Sequence, residues 1–195
     1  MTENTTPRPI LVTGATGMTG RRVLSGLREL GLPVRAASRS SAWRFDWNAP
    51  ETWDEALAGA GSVYLVQHDP APLTAGFVER AVAHGLERIV LLSARGVDRP
   101  GYFDGEAQPI THRLGEQAVR ESGLEWTILQ PGWFTQNFDE GVLADEVRDG
   151  VLRLPAGDGA AAWIDAGDIA AVAVAALTEP GHHGRTYELS GPRAL

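Results

Sequence analysis

One turn constrains this chain more than any other stretch. The apolar run Ile10-Leu11-Val12-Thr13 feeds directly into Gly14-Ala15-Thr16-Gly17-Met18-Thr19-Gly20, with glycines at GxxGxxG spacing, and a helical pattern begins at once. Gly14 can take backbone angles that a side chain forbids. Gly17 lacks a Cβ, so a pyrophosphate could come up against the main chain. Gly20 lets the new helix pack close to the strand. The helix N-terminus then presents unpaired N–H groups and a positive dipole end to phosphates. A glycine pattern alone is weak, and a plain strand–turn–helix is its bland reading. A strand before it and a helix after it, within the first ~30 residues, is the context that gives it meaning as a nucleotide site. Thr16 and Met18, flanking Gly17, join Gly14, Gly17 and Gly20 as candidate cofactor contacts.

The rest of the chain alternates between two periodicities. Residues 9–13, 33–38, 42–47, 62–66, 88–93, 124–129 and 185–189 read as strands. Residues 17–30, 51–58, 72–85, 112–122, 139–149 and 166–177 read as helices, and 151–154 as a further small strand. Val23, Leu24, Leu27 and Leu30 form one helical face; Phe77, Val78, Ala81 and Val82 another; Leu114 and Val119 are read as inward. The acidic residues of 139–149 read as a solvated face. Strand 88–93 is uniformly apolar, as a parallel strand covered on both faces should be. Strands joined by helices require crossovers, hence an α/β fold: a Rossmann-type doubly wound parallel sheet. The 195 residues fit one domain, 1–195, with small substrate-side additions at about 131–165 and a reduced C-terminal substrate lobe.

Composition narrows the function. The net charge of -8 and scattered arginines argue against nucleic acid or an anionic membrane as main partner. No apolar run approaches the ~20 residues of a membrane span, and residues 1–9 do not read as a signal peptide. There is no cysteine, which removes thiolate chemistry and fits a reducing, cytoplasmic setting. There is also no lysine: all 17 basic residues are arginine, so no lysine can serve as base, Schiff-base former or phosphate anchor. A metal site is not expected, because the adjacent His182 and His183 lack spaced carboxylate partners. The sequence does not fix the oligomeric state, and a homo-oligomer stays open.

Candidate residues cluster where strands end, since ligands of open α/β sheets bind outside the carboxyl ends. After strand 33–38, where an NAD-type fold has an acid for the ribose 2′-hydroxyl, this chain has Ser38-Arg39-Ser40. An acid would repel a 2′-phosphate, whereas Arg39, beside Ser40, would pair with one. NADP(H) is therefore the expected cofactor. Asp46 is placed to accept from an adenine amino group and the Trp47 N–H to donate to the ring. A turn-starting role before Pro50 is the alternative for Asp46. Gln67 and His68 follow strand 62–66, and Ser93 ends strand 88–93, where it could touch the nicotinamide ribose or a substrate. Tyr102 and His112 are candidate proton donors.

These motifs together resemble the NmrA-like atypical short-chain dehydrogenase/reductases, and within them the ergot-alkaloid-biosynthesis (festuclavine-synthase-like) reductase type and its bacterial relatives. The likeness rests on the 10–20 turn, Ala37-Ser38-Arg39-Ser40, Asp46-Trp47 with Thr52-Trp53, and Val63-Tyr64-Leu65-Val66. It continues through Val90-Leu91-Leu92-Ser93-Ala94, Gly123-Leu124-Glu125-Trp126-Thr127-Ile128-Leu129-Gln130-Pro131, Trp133-Phe134-Thr135-Gln136-Asn137-Phe138 and Trp163-Ile164-Asp165-Ala166-Gly167-Asp168-Ile169-Ala170. The resemblance implies NADP(H) held by the glycine loop, Arg39, Asp46 and Trp47. It implies Ser93 and the Pro131–Phe134 segment beside the nicotinamide, and Trp133, Phe134 and Asn137 in a substrate pocket, with which His68 is grouped from its place at the end of strand 62–66. Three features depart from the family pattern. Family members continue well beyond the Tyr187–Gly191 stretch; the usual Arg-Pro after strand 124–129 is Gln130-Pro131; and the Tyr-x-x-x-Lys dyad of ordinary relatives cannot exist here, Tyr102 being followed four residues on by Glu106. The implied activity is hydride transfer from NADPH to a small imine, enone or quinone-like molecule. A non-catalytic NADP(H)-binding redox sensor and a redox-neutral isomerase or epimerase stand as alternatives.

Overall fold

The computed structural model describes residues 7–69, 71–99, 108–154 and 157–195. Its centre is one sheet of seven parallel strands: β1 (Ile10–Thr13), β2 (Val34–Ser38), β3 (Trp43–Arg44), β4 (Ser62–Val66), β5 (Arg88–Leu92), β6 (Glu125–Pro131) and β7 (Arg185–Leu189). The spatial order is β3-β2-β1-β4-β5-β6-β7, every neighbouring pair parallel. The order reverses between β1 and β4, and at such a switch point the crossovers leave a crevice at the carboxyl edge.

Helices cover both faces. Leu11, Val63, Leu65, Ile89, Leu91 and Ile128 point to one side, under α2 (Glu51–Leu57), α3 (Thr74–Ala83) and α4 (Gln108–Glu121). Ile10, Val12, Tyr64, Val90 and Leu129 point to the other, under α1 (Gly20–Glu29) and α6 (Ala166–Thr178). Alternate residues of each strand thus feed opposite cores, which is why these strands read as unbroken apolar runs. A short helix, α5 (Ala144–Arg148), and a 3-10 turn, Thr135–Phe138, follow β6. Among the described residues no helix is long and apolar enough to cross a membrane.

Several expectations change. The first helix begins at Gly20 rather than at residue 17, because the glycine turn occupies the intervening positions. The strand read at 42–47 shrinks to two residues, and 151–154 is exposed chain without strand pairing. The helix read over 139–149 is confined to 144–148. Gly141 sits so close to the 3-10 turn that a Cβ there would stand 2.8 Å from Asn137 Cα. Its acidic stretch is also not all solvated face. Glu140 is ion-paired to Arg21 and, at 2.7 Å, to Arg22 of α1, and the Arg22 hydrogen bond first of all holds its carboxyl down at about 2.

Leu30, Val82 and Leu114 face outward instead of inward, at 59%, 43% and 41% exposure. Leu30 lies past the last turn of α1, where Gly31 at φ +70° ends the helix. Val82 and Leu114 lie to the side of the buried stripe rather than on its centre line, Leu114 the farther round. In α4 the buried stripe is Thr111, Gly115, Glu116 and Val119, with only one apolar branched side chain among them. Hydrophobicity alone therefore misplaces that helix.

Candidate active site

Two clefts open along the carboxyl edge, sharing a wall. The first, about 520 Å3, lies between the glycine turn, the end of β2 and the end of β4. Gly14 holds φ +58°. An added Cβ on Gly20 would meet Gly14 O at 2.1 Å, so α1 can start only where residue 20 has no side chain. Thr16 and Gly17 are exposed on the cleft side. The N–H groups of Thr16 and Met18 have no acceptor among the described residues, while those of Ala15 and Gly17 bond to Ala37 O and Gly14 O. The turn thus supplies free donors at a helix N-terminus, the arrangement a diphosphate requires. Met18 and Gly20 stand behind the lining rather than in it.

The cleft continues over the turn after β2. Ser38, Arg39, Ser40, Asp46 and Trp47 line it, as does His68. The Ser40 N–H donates to Ser38 Oγ at 3.3 Å and the Ser38 N–H to Ser41 Oγ at 2.7 Å, so the loop is locked by its own side chains. Arg39 is exposed, with no hydrogen-bond or ion-pair partner among the described residues. Asp46 Oδ1 accepts the Asn48 N–H at 3.0 Å, the turn-starting role, and Asp46 O accepts the Trp53 indole N–H at 2.8 Å. Trp47 belongs to an aromatic cluster with Phe45, Trp53 and Phe77, its ring stacked on His68 at 6.2 Å. His68 therefore sits in the first cleft, away from Trp133, Phe134 and Asn137, with which it was grouped.

The second cleft, about 380 Å3, lies over the carboxyl ends of β4, β5 and β6. Ser93, Arg95, His112, Pro131, Trp133, Phe134 and Asn137 line it, and Val66, Gln67 and Asp69 line both clefts. Trp133 is 55% exposed at the mouth. A bridge between Phe134 and Ile164, and the Gln136 side chain reaching Asp165 at 2.8 Å and the Ala166 N–H at 2.7 Å, tie the far wall to the start of α6. The Gln136 hydrogen bond, with that of the Gly167 N–H, lowers the Asp165 carboxyl from its usual range at the cap of α6. Tyr102 lies outside the described residues.

Between the clefts runs a row of hydrogen-bonded polar groups. Thr74 Oγ1 donates to Gln67 Oε1 at 3.2 Å, and Gln67 Nε2 meets His112 Nδ1 at 3.0 Å. An amide nitrogen only donates, so Nδ1 is the acceptor and the ring proton sits on Nε2. Nε2 itself lies 3.1 Å from Asp69 Oδ1, a close contact outside hydrogen-bond geometry. Of the two ring nitrogens of His112, Nδ1 is therefore the one held by the protein. Gly115 makes room for this row: a Cβ there would lie 1.8 Å from Gln67 Oε1.

One residue escaped the sequence reading. Glu116, with 0% exposure, stands behind the second cleft. Its Oε1 accepts Ser93 Oγ–H at 2.5 Å and the Gln130 amide at 2.8 Å, and its Oε2 pairs with Arg120 at 2.8 Å. Gln130 occupies the place where the resembled family has arginine, and here it is a buried donor to Glu116. The only signal in the sequence was that Glu116 and Val119 share a face. Among the described residues no group of three or more His, Asp or Glu could hold a metal ion.

This geometry is that of a nucleotide-cofactor site: a glycine turn at the β1 switch point, an open groove across the strand ends, and aromatic walls at the far end. The sequence matches the NAD(P)H-binding family over residues 14–180. The chain belongs to that family. It is 37% identical to the NAD(P)H azoreductase of Xenophilus azovorans, over 95% of this chain and 69% of that protein. It is 32% identical to festuclavine synthase II of Penicillium roqueforti, over 95% of this chain and 69% of that protein. Among solved structures it is similar to the Escherichia coli NADPH-dependent quinone oxidoreductase QOR2 complexed with NADPH, with a TM-score of 0.79 and 28% identity, over 95% of this chain and 70% of that one. The chain thus spans about two thirds of the length of the curated relatives it matches. These likenesses put it among the NAD(P)H-dependent oxidoreductases and bear out the resemblance to the festuclavine-synthase type.

Proposed function

We propose that this chain is an NADPH-dependent reductase that delivers hydride to a small conjugated electrophile: an imine, an enone or a quinone-like molecule. The observation that carries the reading is the continuity of the two clefts through Gln67, with the glycine turn and the unpaired Arg39 at one end and the Ser93–Phe134 walls at the other. A dinucleotide laid along the edge would have its diphosphate at the Thr16 and Met18 N–H groups and a 2′-phosphate within reach of Arg39. Its reactive ring would lie toward Ser93 and Pro131. Bound there, the cofactor supplies the hydride. The protein supplies position and partial exclusion of water.

The proton side of the reaction selects the substrate class. The Ser93 hydroxyl donates to Glu116, and His112 Nδ1 accepts from the Gln67 amide. The Ser93 proton is thus directed into the protein, which supports an acceptor such as an iminium or a conjugated system, where hydride addition needs little protonation by the enzyme. The test is calorimetry with NADPH, NADP+ and NADH, followed by NADPH oxidation at 340 nm (roughly where reduced nicotinamide absorbs) against an imine and quinone panel. Saturable NADPH binding with turnover is expected. Arg39→Ala is expected to weaken NADPH by ten- to a hundred-fold, the loss of about 1.5–3 kcal/mol, and to leave NADH unchanged. Binding of both cofactor forms with unequal affinity and no turnover would instead favour a redox-sensing protein.

A further inference from the structure

We infer that the second cleft selects electrophiles that carry an anionic substituent, a carboxylate, sulfonate or phosphate, on a planar conjugated frame, and that Arg95 reads that charge. The inference rests on the reading of this cleft as the substrate end.

Arg95 is fixed three residues beyond β5 by its own backbone N–H, which donates to Pro131 O at 2.9 Å. Its stem passes Gly132, where an added Cβ would lie 4.0 Å from Arg95 Cδ, and its side chain lines the cleft while one third exposed. The guanidinium makes no hydrogen bond to any described residue, and its Nε is buried without an acceptor. The side chain as a whole is one third exposed, so its terminal N–H groups stay available to an acceptor in the cleft. Among the described residues its ion-pair partner is Glu188, 3.4 Å from Nε and outside hydrogen-bond geometry. Both oxygens of that carboxylate are already taken by Arg99, at 3.2 Å each. Two arginines thus share one carboxylate. Asp69, the other charged side chain in the lining, lies 3.1 Å from the neutral His112 ring on the wall shared with the first cleft.

Charge and shape then point the same way. The chain carries a net -8, so an arginine on a cleft wall without a hydrogen-bond partner is a local exception, able to hold anions that the remaining surface repels. A guanidinium is a planar fork of donors that fits a carboxylate, sulfonate or phosphate with two parallel hydrogen bonds. Beside it stand Phe134 and the half-exposed Trp133, whose ring lies 5.8 Å from that of Trp163. An exposed indole next to an unmet guanidinium suits a flat conjugated body with a charged edge.

The first arm of the test measures binding by calorimetry to the NADP+-loaded protein, with naphthalene-2-sulfonate and its uncharged sulfonamide. The sulfonate is expected to bind ten- to a hundred-fold more tightly. Arg95→Met should erase that preference, and Glu188→Gln, which removes the competing carboxylate, should widen it several-fold. An equal affinity for both compounds, or a preference that survives in Arg95→Met, overturns the inference. So does a loss of NADPH affinity in Arg95→Met that equals the loss of sulfonate affinity, which would make Arg95 a cofactor contact. The second arm compares kcat/KM for 1,2-naphthoquinone-4-sulfonate and 1,2-naphthoquinone as a ratio in each variant, with the ratio expected to fall in Arg95→Met. If neither quinone is reduced although NADPH binds, the reductase reading fails, and the binding arm still decides the role of Arg95.

Discussion

The two halves of the groove are made in different ways. The cofactor end is backbone: a turn of seven residues, three of them glycine, whose shape is fixed by what side chains are missing. The far end is side chains: Ser93, Gln67, His112, Trp133 and Arg95 come from the ends of three strands and from α4, and Ser93, Gln67 and His112 are held by partners far away in sequence. A site of the first kind can be read within one short stretch and broken by a single methyl group. A site of the second kind is set by residues behind it, and a substitution there shifts its geometry while the fold stands.

The sharpest test of this contrast is Gly20→Val. With 2.1 Å between an ideal Cβ and Gly14 O, the turn cannot close over any side chain. The expected result is loss of saturable NADPH binding together with a stability loss of about 3 kcal/mol or more, since backbone must shift to relieve the clash. Retention of cofactor affinity would show that the turn is more plastic than its packing implies.

Glu116→Ala addresses the other half. Ser93 and Gln130 would each lose a buried acceptor, for a combined cost of about 2–4 kcal/mol in chemical denaturation. Glu116→Gln keeps the shape but places a donor among donors, so it is expected to cost about half as much. In both, NADPH affinity should fall less than kcat. A larger effect on cofactor binding than on turnover would mean that the halves are not separable at this point.

Gly115→Ala is a subtler probe. The methyl group would occupy the position of Gln67 Oε1, 1.8 Å from an ideal Cβ, and push the amide off both Thr74 and His112. Alanine favours a helix over glycine by about 1 kcal/mol. The expected outcome is therefore a protein of nearly unchanged Tm with KM and kcat altered together. Unchanged kinetics would remove Gln67 from the shared wall.

The smallest effect is electrostatic. Glu140 is held down at about 2 chiefly by its hydrogen bond to Arg22, against an ordinary value of 4.5. A lowered folded value contributes stability that is present above the unfolded value and is lost as pH falls through the folded one. The contribution of Glu140 is thus complete above about pH 5 and disappears between there and about pH 2. Glu140→Gln should flatten that limb of the acid unfolding curve and leave Tm at pH 7 slightly lower. The pair is largely solvated, so the difference will be modest and should shrink with added salt.

The same contrast explains what the sequence revealed. Strands β4, β5 and β7 end within a residue of where their patterns predict, because a strand covered on both faces is a bare apolar run. The glycine turn and the end of β2 were legible for the same reason: their chemistry is local. Helix α4 was not. Its buried stripe is threonine, glycine, glutamate and valine, so Leu114, the residue that looks most like core, faces water. Glu116 reads as an ordinary helix-surface charge until the strand ends that meet it are known. The acidic stretch from 139 misleads in the opposite direction, because its first glutamate is drawn back to α1 by two arginines more than a hundred residues away.

The amide of Gln67 gives the centre of the groove a direction. Threonine hydroxyl and amide pass their hydrogens one way along the row toward the imidazole, so turning the amide over requires the hydroxyl to rotate and the imidazole to change tautomer with it. Whatever occupies the two ends of the groove therefore meets, between them, a partition of fixed handedness.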